Sequence, residues 1–213
     1  MLLNEAGFKA AKNPGSETDF AVVVGNAGGI WASDGAKSKL PQLIEWLTAQ
    51  EWCGPLFTRN GEGGTLLSSE ICTDHARAPD ICLIMRSNDA ANNWGVSGTT
   101  LHDAPYPIGG GCHGGLSAHE LQNVLVLGGA TIAAGEVVQV PAGNIDVMPT
   151  VLHLLGLPEP DGLDGRVLRE AFSGGGGQAG EAVEKVISAP NGQTHLSVTE
   201  YGRQRYLNKA WVE

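Results

Sequence analysis

"APDICLIMRS" (78–87) is the stretch on which the fold class turns. A proline leads it, and from Ile81 to Met85 every residue is apolar or a thiol. A strand with one wet face alternates apolar and polar residues, so an unbroken run reads as a strand covered on both faces. Covering both faces requires other layers, and the flanking sequence offers them. "DFAVVVGN" (19–26) is a second β-branched run, stopped at Gly25-Asn26, and "GGIWAS" (28–33) reads as its return strand. "SKLPQLIEWLTAQE" (38–51) has Ser38 as a cap, Pro41 in the first turn, and Leu40, Leu43, Ile44 and Leu47 at helical spacing. "PLFTRNGEGGTLL" (55–67) reads as a strand entering a Gly-rich turn.

Downstream, "NVLVLGG" (123–129) reads as another buried strand and "GEVVQVPAG" (135–143) as a short exposed one. "NIDVMPTVLHLLG" (144–156) reads as a helix capped by Asn144 or Asp146 and stopped by Gly156. "THLSVTEYGRQRYLNKAWV" (194–212) alternates as a hairpin turning near Tyr201-Gly202. Strands interleaved with helices predict a layered α/β/α fold around a largely buried mixed sheet.

The chain has 213 residues, enough for one large domain or two small ones. No Pro/Ser-rich linker divides it, so one domain is expected over 1–172. "SGGGGQAG" (173–180) then reads as a spacer, and 181–213 as a helix and hairpin packing on the same domain. The net charge of −10 argues against a groove for a nucleic-acid polymer and against an anionic membrane surface. "MLLNEAGFKA" (1–10) has neither the basic nor the apolar region of a signal peptide, so the compartment stays unassigned. The longest apolar-plus-Gly runs fall short of the roughly 18 residues of a membrane span. Cys53, Cys72, Cys82 and Cys112 form no CxxC pair, and Cys82 reads as a buried thiol.

Chemistry concentrates in "GGGCHGGLSAHE" (109–120), at the end of a long, polar, Gly/Pro-punctuated loop (88–111). Glycines on both sides of His113 let it approach an ion without backbone clash. The helix predicted after it, opened by a Ser117/Glu120 capping box, adds free N–H groups that favour phosphate. Imidazole suits zinc or a similar divalent ion. Cys112, His113 and His119 lack the second ligand pair of a structural zinc site. Asp74-His75 reads as a solvated turn, His102-Asp103 is ambiguous, His153 reads as a helix-boundary residue, and His195 as sheet packing. "GNAGGI" (25–30) is not a dinucleotide fingerprint, and neither a Walker motif nor a G-x-S-x-G elbow occurs.

Residues 109–171, from "GGGCHGGLSAHE" through "NIDVMPTVLHLLGLPEPDGLDGRVLREA", resemble the C-terminal part of the alkaline phosphatase superfamily. The nearest branch is the type I phosphodiesterase/nucleotide pyrophosphatase family. The resemblance rests on the Gly-His-Gly turn, the Asn144-Ile145-Asp146 to Leu157-Pro158 segment and Asp164-Gly165-Arg166-Val167-Leu168, with "RAPDICLIMRS" (77–87) upstream. It covers roughly residues 40 to 172. It implies an alkaline-phosphatase-like layering and a phosphate-ester or nucleotide-like small-molecule substrate. It also implies a Thr or Ser nucleophile and two divalent metals, usually zinc, about 4 Å apart. His113 matches a metal ligand, and Gly114 and Gly115 lie in the phosphate-proximal backbone. Asp146 and Asp164-Gly165 match structural positions.

Family members carry the first metal Asp, the nucleophile and an Asp-His-Gly motif upstream of this region, whereas "DHAR" (74–77) is not that motif. A catalytic zinc takes about three protein ligands, and one His cannot assemble a bimetal centre. The chain is therefore expected to be the C-terminal portion of a hydrolase, incomplete on its N-terminal side and inactive alone. The alternative expectation is a non-catalytic binding or interaction module of the same descent, self-associating or recruiting a partner chain through an exposed sheet edge.

Overall fold

The computed structural model describes residues 2–107, 110–175 and 181–213. The predicted spacer lies in large part (176–180) outside the described residues. The chain divides into two compact units. One comprises Met1–Gln122 with Val186–Leu196 and Asn208–Glu213, the other Asn123–Lys185 with Ser197–Leu207.

The first unit opens with a single helical turn, α1 (Leu2–Glu5), followed by the short β1 (Ala10–Ala11), β2 (Phe20–Val24) and β3 (Ala27–Ala32). Helix α2 (Leu40–Thr48) leads to β4 (Cys53–Thr58), β5 (Leu66–Leu67) and β6 (Ile81–Met85). These six strands form one mixed sheet in the order β1-β2-β3-β6-β4-β5. β6 pairs antiparallel with both β3 and β4, and all five of its residues are buried. The continuous apolar run thus occupies an interior position, as its pattern predicts. α2 buries Leu43, Ile44 and Leu47 in one cluster with Phe20, Val22, Ile30, Leu56 and Leu83. Each such side chain contributes about 1.5–3 kcal/mol by leaving water.

Strand direction determines where the site can form. β2 and β6 both run antiparallel to β3, so Val24 and Met85 end at the rim where β3 begins. The Met85 N–H donates to the Asn26 C=O there (2.9 Å). The long loop departs from the same rim. It contains an unforeseen hairpin of β7 (Ser87–Ala91) and β8 (Ser97–Thr100), whose turn is held by Asn92 Oδ1 accepting the Trp94 and Val96 N–H groups. One turn of helix, α3 (Ala118–Leu121), follows.

In the second unit, α4 (Val147–Leu154) forms near its predicted position. "NVLVLGG" does not form a strand. Val124 and Val126 are 89% and 81% exposed, and residues 124–127 make no main-chain hydrogen bond among the described residues. "GEVVQVPAG" likewise forms no strand, and Val137 is 79% exposed. An apolar run becomes a buried strand only where neighbouring strands take up its N–H and C=O groups, and these runs have no such neighbour among the described residues.

Strands β9 (Ala182–Ser188), β10 (Thr194–Tyr201) and β11 (Gln204–Val212) form a separate sheet in the order β11-β10-β9. The predicted hairpin turns as expected at Gly202, with φ +62°. The helix expected after residue 181 is instead β9, where Val183, Val186 and Ile187 favour an extended backbone. The fold is thus mixed α/β with a mixed six-stranded sheet.

Candidate functional site

The site is built on Asn26, 5% exposed in the turn between β2 and β3. Its Nδ2 donates to Glu120 Oε1 (2.6 Å), and its Oδ1 accepts from the Cys112 thiol (2.6 Å). Glu120 gathers three further donors: the Gly115 N–H on Oε1 (3.2 Å), and the Thr100 and Ser117 hydroxyls on Oε2 (3.0 Å each). Both oxygens are thereby satisfied, as a partly buried carboxylate requires.

This differs from the expected capping box. The Ser117 hydroxyl turns to the Glu120 carboxylate, and α3 has no side-chain cap. Asn26 and Thr100 supply Glu120 with better-shielded donors than the end of a four-residue helix does. A Cβ on Gly115 would run into the Glu120 carboxylate and displace it from these donors. The neighbouring Gly114 has φ +106°.

His113 stands in the middle of this clamp and takes no part in it. It is exposed and makes no hydrogen bond among the described residues. Its neighbours on both sides are tied inward, Cys112 to Asn26 and Gly115 to Glu120, so the imidazole projects from an anchored loop. Because the Gly115 N–H is engaged by Glu120, it is not free for a ligand in this arrangement.

The other histidines have local partners. His75 Nδ1 accepts the Arg77 N–H (3.1 Å), as a turn does, and His102 Nδ1 accepts the Ala104 N–H (3.2 Å). His119 meets Asp89 at 3.0 Å on the surface. His153 stacks on Phe172 at 5.6 Å, and His195 stacks on Trp211 at 4.9 Å while its Nδ1 meets the Ser188 hydroxyl at 2.9 Å. Among the described residues, no group of three or more His, Cys, Asp or Glu side chains could hold a metal ion. The residues present therefore do not fit a complete two-metal centre.

Within the second unit, the Asp146 and Asp164-Gly165 segments form a structural lock. Asp146 is fully buried. Its Oδ2 accepts the Gly143 N–H (2.8 Å) and the Tyr206 hydroxyl (3.0 Å), and its Oδ1 accepts the Arg166 N–H (2.8 Å). A Cβ on Gly165 would lie 2.0 Å from the Ile145 C=O, so only glycine lets the Arg166 N–H come this close. Arg166 then forks onto Glu170 (2.6 and 2.9 Å) and stacks over Tyr201 at 4.6 Å. Burial disfavours the Glu170 charge, but the hydrogen bond and charge of Arg166 outweigh it and hold the carboxyl below its usual range. Burial, reinforced by Asp146, pushes Tyr206 up to about 12 against the pull of Arg166. Asp146 precedes α4 but, contrary to expectation, makes no side-chain cap bond to that helix; its carboxylate is engaged in this lock instead.

Asn26 and Thr100 escape sequence reasoning because each resembles an ordinary turn or loop residue. The one local signal is that Asn26 ends a buried strand, where a side chain reaches the sheet rim. No family model matches the chain, and no curated protein or solved structure matches it. No helix is long and apolar enough to cross a membrane among the described residues.

Proposed function

We propose that this chain is the C-terminal portion of a two-metal phosphoric-ester hydrolase of the phosphodiesterase/nucleotide pyrophosphatase kind, with alkaline-phosphatase-like layering in the complete protein. In this reading His113 is one metal ligand. The nucleophile and the other ligands, and with them the phosphate-ester or nucleotide-like substrate site, are completed by residues outside this sequence. The chain alone is inactive. The observation that carries the reading is the presentation of His113, an unbonded imidazole on a glycine-built loop anchored from behind by Asn26 and Glu120. A histidine with a packing role has partners, as His153 and His195 do.

Zinc titration followed by NMR of the histidine rings tests this assignment. His113 is expected to respond before the other five histidines, with the weak saturation of a single ligand, and His113→Ala to remove that response. A first response at another histidine, or none at His113, overturns it.

The second reading, a non-catalytic interaction module, is favoured by the exposed apolar run Val124–Leu127, which makes no main-chain hydrogen bond among the described residues. An exposed apolar segment whose main-chain groups are unpaired can pair with another chain. Light scattering distinguishes the two readings. The module self-associates and is dispersed by Val126→Lys, whereas the hydrolase portion stays monomeric.

A further inference from the structure

A cavity of about 450 Å³ lies in the first unit, beneath the sheet rim. Val22, Ile30, Leu47, Leu83 and Met85 form its buried floor, and Trp52 forms part of its wall. The exposed residues Leu2, Glu5, Leu101, His102 and Asp103 form its mouth. The volume lies within the range of small-molecule sites, and such sites combine apolar walls with a few polar groups that set orientation.

The charged groups here have one sign. Glu5 and Asp103 make no side-chain hydrogen bond or ion pair among the described residues, and no Lys or Arg lines the cavity. The position of Asp103 is fixed, since its N–H donates to the Gly25 C=O (3.2 Å). His102 Nδ1 is already engaged, accepting the Ala104 N–H within its own loop. An apolar tail would fill the floor and leave a positive end at the mouth, which both carboxylates line. An anionic end would meet both of them unpaired.

From this cavity we infer a binding site for an apolar molecule with a single cationic end, such as an alkyl or aryl-alkyl amine. The site stands independently of the proposed hydrolase role, because none of its residues belongs to the His113 clamp.

Isothermal titration with octylamine, octanol and octanoate tests it on the whole chain. Octylamine is expected to bind once per chain and at least about tenfold more tightly than octanoate, the combined effect expected of two exposed carboxylates. Asp103→Asn weakens octylamine about three- to fivefold. Asp34→Asn, the same charge change at an exposed carboxylate outside the lining, leaves it unchanged. Val24→Trp, at a half-buried position on the wall, removes binding while the circular dichroism melt stays cooperative. Equal affinity for octanoate, an equal loss in Asp34→Asn, or no octylamine binding overturns the inference.

Discussion

Asp146 ties together three segments of the second unit, with three donors converging on a carboxylate shut off from solvent. Asp146→Ala leaves those donors unpaired and is expected to cost about 3 kcal/mol, read as a fall in midpoint in urea unfolding. Asp146→Asn keeps one oxygen and costs less. Glu170 sets the acid limb. Its folded pKa lies below the usual 4.5, so its stabilising contribution is present above that value and is lost as pH falls through the folded one. Glu170→Gln is expected to flatten the stability–pH curve in that window. Tyr206 acts at the other end, since its folded value of about 12 lies above the ordinary 10. Its contribution is complete below pH 10 and is lost on the way to 12. The thiols separate similarly. Burial, only partly offset by the Arg86 charge, pushes Cys53 up to about 12, while Cys72 is exposed. Iodoacetamide at pH 8 is therefore expected to label Cys72 in the native chain and to spare Cys53 until unfolding, as peptide mass spectrometry will show.

Elements whose pattern is local were legible in the sequence. β2, β3, α2, β6 and the β10–β11 hairpin each carry their own periodicity and stop signals, and each forms where that pattern lies. "NVLVLGG" carries an apolar run like that of β2 and forms no strand, because a strand's burial is decided by its neighbours as well as by its sequence. The β7–β8 hairpin was missed for the opposite reason. Its strands are polar, and only Asn92 marks the turn. Hydrogen exchange separates these cases. Amides of Ile81–Met85 are expected to exchange only on global opening, and those of Val124–Leu127 at nearly unprotected rates. Strong protection at 124–127 in the isolated chain would mean that they have found a strand partner.

At the scale of the whole molecule, the segment that carries the candidate site was legible and its scaffold was not. His113 stands out in the sequence because glycines flank it. The residues that anchor its loop lie far away along the chain: Asn26 is 86 residues from Cys112 and 94 from Glu120. Only folding of the β2–β3 turn against the 110–122 segment brings them together. That anchoring holds the backbone on either side of the exposed imidazole, and under the proposed function His113 is one contributor to a larger centre. The most direct measurement is zinc-supplemented hydrolysis of a phosphodiester and a phosphomonoester by the purified chain, alongside His113→Ala. No turnover above buffer is expected from either protein. Robust turnover by the native chain, lost in His113→Ala, would contradict the claim that the site is completed elsewhere.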